Sequence, residues 1–298
     1  MFDQLRAFHR PTSVATALRL SESERRAGGR GTFVAGGTDV VVAGDRSLRW
    51  IVDLTKLPLR YVKRRGRGLA IGATSTFADL EASAAVRRLA DGIVAEAAGT
   101  AGSRQIRAMG TAGGNLANAS PAADLAPPFL ALDAAVVIAG GGGGGGGRRT
   151  VPLDAFFRGP NRTVLNGGLL VEIVIPAAPA PRGGRAAWSF QKLGRLESDI
   201  AVVSAAAGVA VDAGGRCTWA RLALGAVGPT PLRARRAEAL LVGKPFDRAA
   251  AEAAAARAAE EAKPVTDVRG TAAYRREMSR VLVARALAEC LERMGRTR

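Results

Sequence analysis

Gln105-Ile106-Arg107, then Thr111-Ala112-Gly113-Gly114-Asn115, then Ser120-Pro121 and Asp124 form the most informative stretch of this chain. Its middle, Gly110 to Ser120, is rich in glycine and asparagine and reads as a loop. Ser120-Pro121 reads as a helix start, with serine as cap and proline in the first turn. Asp124 then falls one turn into that helix, where the helix dipole favours a carboxylate.

The same grammar of hydroxyl, small residue and paired glycines stands nearer the N-terminus, in Phe33-Val34-Ala35-Gly36-Gly37-Thr38-Asp39-Val40. Glycine lets backbone N–H groups approach an anion closely, and a threonine hydroxyl adds a donor. Neither segment has the Gly-Lys-Ser/Thr of a Walker loop or the spaced glycines of a Rossmann turn. Taken singly, each is what glycine does at any turn after a strand. Two matched loops in one domain say more, because facing backbone nests cup a diphosphate from both sides. A dinucleotide such as FAD suits that arrangement. For Asp124 two readings stay open: a carboxylate at a helix start, or a hydrogen bond to the nucleotide.

Outward from these loops the pattern alternates strands and helices. A helix begins after Pro11-Thr12-Ser13 and stops at Gly28-Gly29; Thr32 to Val34, Ile51 to Leu54 and Leu69 to Ala73 read as strands. Thr76-Phe77-Ala78-Asp79 resembles a capping box, and a further helix is expected from about Val86 to Ala98. Ala134 to Ala139 and Leu169 to Ile175 are strands, separated by the glycine run Gly140 to Gly147. That run reads as a flexible hairpin tip rather than a phosphate loop, since it has no side chains to set a geometry. Ala177 to Gly184 reads as an interdomain linker. Beyond it come strands at Trp188 to Leu193, Ile200 to Val211 and Leu222 to Val227. Helices follow, capped by Thr230-Pro231 and by Asp247, with a last one from about Thr271 to Met294. In that last helix Tyr274, Met278 and Leu282 share one face, which reads as core.

Composition removes several function classes. With 298 residues the chain has room for two domains, and its abundant alanine means that small side chains do much of the packing. It contains no run of ~20 apolar residues and no secretory leader pattern at Met1 to Arg6, so a cytoplasmic protein without a membrane span is expected. Two cysteines, Cys217 and Cys290, are too few for a disulfide framework or an iron–sulfur cluster. The one histidine, His9, gives no basis for a histidine-built metal site or for serine–histidine catalysis. The formal charge of +17 invites a nucleic-acid reading. Yet the arginines are spread along the chain, and no aromatic-interleaved basic motif is present. A large acidic partner protein accounts for the charge equally well.

On these residues the chain resembles the FAD-binding medium subunit of the xanthine dehydrogenase and carbon monoxide dehydrogenase family of molybdenum hydroxylases. Ala35-Gly36-Gly37-Thr38-Asp39 matches the family's first FAD loop, and the block from Gln105 to Asp124 matches the second. Supporting matches are Ile51-Val52-Asp53-Leu54, Ile71-Gly72-Ala73-Thr74, Glu172-Ile173-Val174-Ile175-Pro176 and Lys192 through Arg195 to Asp199-Ile200-Ala201. Asp267-Val268-Arg269-Gly270 with Tyr274-Arg275 resembles the C-terminal signature. The departure is the glycine run.

The resemblance implies an α+β fold: a two-subdomain FAD-binding fold of the vanillyl-alcohol-oxidase/PCMH type, then a C-terminal three-stranded antiparallel sheet with a helix bundle. The expected division is an FAD-binding domain at 1–176 (subdomains about 1–57 and 58–176), a linker at 177–184 and a C-terminal domain at 185–298. The resemblance also implies that Phe33 to Val40 and Thr111 to Asn115 wrap the FAD diphosphate and sugar, with Asp124 helping to fix the nucleotide. Leu170 would lie against the isoalloxazine ring and Lys192 near it, with Gln191 as the alternative; Gln105 and Arg107 would hold the loop. No catalytic acid or base and no metal ligand is expected on this chain. Molybdopterin and 2Fe–2S clusters would sit on a large and a small partner subunit, in a dimer of heterotrimers. Electrons would leave FAD for NAD, oxygen or a quinone. Two other readings are a self-sufficient flavoprotein reductase of the same superfamily, and a basic nucleic-acid-binding or scaffold protein. The helical C-terminal third and the lack of a clear proton donor argue against the first.

Overall fold

The computed structural model describes residues 3–141, 147–179 and 181–295, which build three sheets and a two-stranded ribbon. The first layer is β1 (Ala7–His9), α1 (Val14–Arg26), β2 (Arg30–Val34), α2 (Thr38–Ala43) and β3 (Leu48–Asp53). Its strands run parallel in the order β1-β3-β2, with Ile51 opposite Phe8 on one side and Thr32 on the other. Parallel neighbours need a crossover, and α1 is part of it. Ser13 caps that helix by accepting from the Thr16 amide at 3.2 Å, and Gly28 turns the chain out of it at φ +84°.

The second unit opens with β4 (Val62–Arg65) and β5 (Gly68–Gly72). Six short helices follow: α3 (Phe77–Ala82), α4 (Ala84–Arg88), α5 (Ile93–Gly99), α6 (Arg104–Met109), α7 (Ala112–Asn118) and α8 (Ala126–Ala131). It closes with β6 (Ala135–Ala139), β7 (Arg148–Pro152), the ribbon β8 (Phe157–Gly159) and β9 (Arg162–Thr163), and β10 (Leu169–Ile175). The antiparallel sheet has the order β4-β5-β10-β6-β7. Strand side chains alternate between faces. Val137, Ala139, Leu169 and Val171 pack with Trp50 and Val52 of the first layer. Val136, Ile138, Leu170 and Ile173 pack with the helices. Leu170 and Ile173, an odd number apart, share a face because the register slips between Leu170 and Glu172 in a β-bulge.

The third unit is β11 (Arg185–Leu193), β12 (Val203–Val211), β13 (Cys217–Gly225), β14 (Leu232–Arg233), α9 (Arg235–Leu241), α10 (Arg248–Glu261) and α11 (Ala272–Gly295). β12 is buried from end to end, between the helix core and the second unit. Ala205-Ala206-Ala207-Gly208 explains how this is possible: at Gly208 a Cβ would lie 2.5 Å from the Trp188 indole nitrogen. The small side chains of β12 let the tryptophan of the neighbouring strand lie over it on one face, while Ala205 and Ala207 pack with the helix alanines on the other. Cys217 and Cys290 are buried and unbonded to each other; burial pushes the Cys217 thiol up to about 11 and raises that of Cys290 as well. Among the described residues no helix is long and apolar enough to cross a membrane.

Several elements differ from the sequence expectation. The helix expected over Val86 to Ala98 is broken into α4 and α5 by left-handed Asp91 (φ +52°) and Gly92 (φ +80°). The break lets the Asp91 carboxylate accept from the Trp188 amide of β11 at 2.9 Å. Gly110 to Ser120, read as a loop, contains the helix α7, capped by Thr111. Ser120-Pro121 starts no helix; α8 begins at Ala126, with Pro127 and Pro128 in its first turn, so Asp124 lies in a turn before it. Thr230-Pro231 caps nothing: the chain first adds β14 to the C-terminal sheet, which makes it four-stranded rather than three-stranded, and α9 starts at Arg235. Tyr274 is exposed, and α11 buries a stripe through Arg275, Ser279, Leu282 and Ala286 instead. Asp247 caps α10, and the Thr76–Asp79 capping box is complete. Of the glycine run, Gly140 and Gly147 close the β6–β7 hairpin; residues 142–146 lie outside the described residues.

Candidate functional site

A cleft of about 310 Å³ opens between the first layer and the second, and both glycine loops line it. From the first loop it takes every residue from Phe33 to Val40, and from the second Thr111, Gly113, Gly114 and Asn115. Leu170, set by the bulge, also lines it. Ala112 does not; it is buried at the start of α7.

The two loops do different work. The second loop spends its amides within the protein. Ala112 N donates to Ser75 O, Gly113 N to Ala73 O, Gly114 N to Thr111 Oγ1 and Asn115 N to Thr111 O. Its glycines answer to packing: a Cβ on Gly113 would lie 2.6 Å from Ala73, and one on Gly114 would lie 2.8 Å from the capping hydroxyl. In the first loop, by contrast, the amides of Ala35, Gly36 and Gly37 have no partner among the described residues. Gly36 seats the loop against the second one, since a Cβ there would lie 1.8 Å from the Met109 carbonyl oxygen. Gly37 turns at φ +71°, a conformation that carries little cost only for glycine. The result is a row of open amides at the end of β2, held in place by α6 and α7.

The rest of the polar lining is hydroxyl and amide: Thr38, Thr74, Asn118 and Asn161 stand on the walls, with Asp39 as the single carboxylate and no lysine or arginine among the described residues. Open amides and hydroxyls fit a diphosphate, whose charge they meet with dipoles rather than with cations. The apolar walls from Phe77, Leu165 and Leu169 fit the flat rings of a dinucleotide. Asn118 and Asn161 were not anticipated; Asn161 sits at φ +55°, and its only sequence signal was membership of a Gly-Pro-Asn turn.

Asp124 and Lys192 do not line this cleft. They form an ion pair at 2.8 Å, with side chains 15% and 6% exposed, and Lys192 also donates to Thr100 O at 2.8 Å. Burial pushes the Asp124 carboxyl above its ordinary range, and the Lys192 ammonium opposes that shift. The pair ties the turn before α8 to the end of β11. Gln191 turns to Glu289 of α11 at 2.9 Å. Arg107 bonds Glu81 at 3.1 Å and Gly102 O at 2.9 Å, bracing α6.

Residues 2–178 match the sequence model of the FAD binding domain in molybdopterin dehydrogenase, and residues 188–290 match that of the CO dehydrogenase flavoprotein C-terminal domain. The carbon monoxide dehydrogenase medium chain of Hydrogenophaga pseudoflava is 33% identical over 287 residues, covering 94% of this chain and 95% of that one. The xanthine dehydrogenase FAD-binding subunit of Escherichia coli O157:H7 is 30% identical over 302 residues, with 99% of each chain covered. A solved carbon monoxide dehydrogenase from Hydrogenophaga pseudoflava, which lacks the Mo-pyranopterin moiety, superposes with a TM-score of 0.89 at 34% identity. That match covers 99% of this chain and all of the matched one.

Proposed function

This chain belongs to the family of FAD-binding medium subunits of molybdenum hydroxylases, and on that premise we propose that it relays electrons from partner-borne metal centres through FAD held in the glycine-loop cleft. Membership makes it an oxidoreductase subunit with FAD as its cofactor. The relay runs from substrate at molybdenum on a large subunit, through 2Fe–2S clusters on a small subunit, to FAD here. NAD, oxygen or a quinone takes the electrons onward. The assembly is a dimer of heterotrimers in the cytoplasm. We assign residues 1–176 to FAD binding, 177–184 to a linker and 185–298 to the C-terminal domain; the two family matches leave residues 179–187 between them, which overlaps most of that linker.

Bound FAD would supply two-electron redox chemistry that accepts electrons singly or in pairs. The chain's own part is binding and orientation. The amides of Ala35 to Gly37 and the hydroxyls of Thr38 and Thr111 donate to the diphosphate. Leu170 and Phe77 wall the rings from water. Asp124 and Lys192 fix each other in an ion pair outside the cleft lining, and we assign that pair to the flavin end of the site. No side chain here needs to move a proton from substrate.

The observation that carries this reading is the row of open amides in a cleft that no cation lines among the described residues. The test is to purify the native assembly, release its flavin with acid and separate it by chromatography. FAD at one per chain is expected. FMN, or an intact assembly without flavin, overturns the assignment.

A further inference from the structure

The cleft that suits a diphosphate holds one side chain that repels it. Asp39 stands two residues beyond Gly37, so the two Cα atoms lie within about 7 Å of each other. Its carboxylate makes no hydrogen bond and no ion pair among the described residues. No lysine, arginine, histidine or glutamate lines the cleft among those residues, and α2 carries no other charge. The cations of the surrounding elements are engaged elsewhere. Arg10 pairs with Asp53 of β3 at 2.8 Å, Arg25 of α1 with Glu22 at 2.9 Å, Arg30 of β2 with Asp45 at 3.2 Å and Arg107 of α6 with Glu81 at 3.1 Å. His9 of β1 pairs with Glu24 of α1 at 2.7 Å. Arg46 and Arg49 beside β3, Arg104 of α6 and Arg162 of β9 stand outside the lining.

A dinucleotide diphosphate is doubly negative and does not titrate near neutrality. Amides and hydroxyls answer part of that charge with dipoles. They do nothing for a carboxylate beside it, which has only solvent to stabilise its charge and loses that solvent when a ligand covers it. Asp39 is exposed to solvent, yet the walls already crowd it enough that burial raises its carboxyl above the ordinary range. Desolvation and a neighbouring anion act in the same direction, since each favours the neutral acid. Where like charges meet without a cation, the group that titrates gives way.

We propose that Asp39 takes up a proton from solvent as FAD binds, so that its carboxyl becomes a hydrogen-bond donor to a phosphate oxygen and FAD affinity is coupled to pH. The proposal rests on the reading of this cleft as the FAD site. The proton passes from solvent to a carboxylate oxygen, and no covalent bond to FAD forms. Linkage sets the sign: the ligand raises the carboxyl's pKa, so binding is tightest below the value of the free chain and weakens as pH rises through the value of the complex. A rise of one pKa unit on binding spans a factor of about ten in Kd. An Asp39 that instead stayed ionised and accepted from a sugar hydroxyl would make the opposite prediction, because removing its charge would then weaken binding.

The test titrates FAD into the flavin-stripped full chain by flavin fluorescence, for wild type, Asp39→Asn and Asp39→Ser, with circular dichroism to verify the fold at each pH. Between about pH 5 and pH 8 the wild-type Kd is expected to weaken about five- to tenfold. Asp39→Asn is expected to bind with nearly constant affinity and to exceed wild type at the alkaline end, because the neutral amide stands in for the protonated acid. Asp39→Ser is expected to lose the pH dependence as well, which keeps the test decisive if the asparagine variant misfolds. Calorimetry in buffers of different ionisation enthalpy is expected to show proton uptake with FAD in wild type and none in the variants. The proposal is overturned if the variants keep the wild-type pH dependence, or if Asp39→Asn binds more weakly than wild type at the alkaline end. Magnesium ion that tightens FAD binding by wild type and not by the variants overturns it too, because a cation then offsets the charge. Gly36→Ala separates this failure from failure of the cleft reading. If it weakens FAD binding while the Asp39 variants match wild type, only the proton coupling falls; if it too leaves FAD affinity unchanged, the cleft is not the FAD site.

Discussion

Replacing Gly36 with alanine tests the cleft at its most constrained point. The new Cβ would lie 1.8 Å from the Met109 carbonyl oxygen and 3.0 Å from the Gly110 nitrogen, both backbone atoms that no rotamer change can move. Carbon–oxygen contacts settle at about 3.3–3.6 Å, so the two loops must part by about 1.5 Å. Overpacking of this kind costs about 1–3 kcal/mol, which the fold can survive. The ligand site does not fare so well. Hydrogen bonds tolerate only a few tenths of an ångström around about 2.9 Å, so such a shift takes the Ala35 to Gly37 amides out of range. Hydrogen bonds to a charged group contribute about 1.5–3 kcal/mol each, so the loss of two costs about 3–6 kcal/mol. That corresponds to a Kd for FAD weakened roughly 10²- to 10⁴-fold. The assay is FAD titration of the flavin-stripped chain by flavin fluorescence, with circular dichroism to verify the fold. Gly147→Ala serves as the control, because a Cβ there meets nothing within 4 Å. A folded Gly36→Ala chain with wild-type FAD affinity would refute the reasoning.

Other outcomes follow from the same structure. Thr38→Val removes one hydroxyl from the cleft while keeping the side-chain shape, and FAD should bind about 10- to 140-fold more weakly by the same titration. Asp267→Asn strips the buried Arg275 of its carboxylate. Breaking a buried pair costs about 3–5 kcal/mol, and the partial exposure of Asp267 puts this case at or below the lower end. The arginines hold the Asp267 carboxyl well below its usual range, so the stabilisation is present above the unfolded pKa of about 3.9 and is lost as pH falls below it. Urea midpoints of wild type and Asp267→Asn should therefore differ at pH 7 and converge in acid; a constant gap would contradict the pairing. A thiol reagent should label neither Cys217 nor Cys290 in the native chain at neutral pH, and both after unfolding, because burial keeps each thiol protonated.

What the sequence made legible is what local pattern determines. The strand Leu169–Ile175 stands where its apolar run placed it, and the Thr76–Asp79 capping box needs only neighbours in the chain. The first glycine loop and most of the second do meet in one cleft. The errors came where tertiary contact overrides local preference. Gly113 looks like a helix breaker, yet it sits inside α7, because only a glycine lets that helix lie against Ala73. Asp91 turns left-handed to reach the Trp188 amide, a partner 97 residues away that no local pattern announces. Steps of four residues place Tyr274 in the core with Met278 and Leu282. A helix advances 3.6 residues per turn, so such steps drift around the cylinder, and the buried stripe begins at Arg275 instead. The division of labour between the loops was also beyond the sequence. Thr111-Ala112-Gly113-Gly114-Asn115 reads like an anion nest, but its amides are committed to the cap of α7 and to the strand beneath.

The measurement that bears most directly on the account is anaerobic reduction of the native assembly by an oxidisable substrate, chosen by screening purines, aldehydes and carbon monoxide for activity. Flavin and iron–sulfur absorbance are followed together after mixing. The account predicts that the flavin bleaches along with the iron–sulfur centres and recovers its colour when an acceptor is added. Flavin that stays oxidised while the molybdenum and iron–sulfur centres are reduced would contradict it, as would oxidation of the substrate by this chain alone.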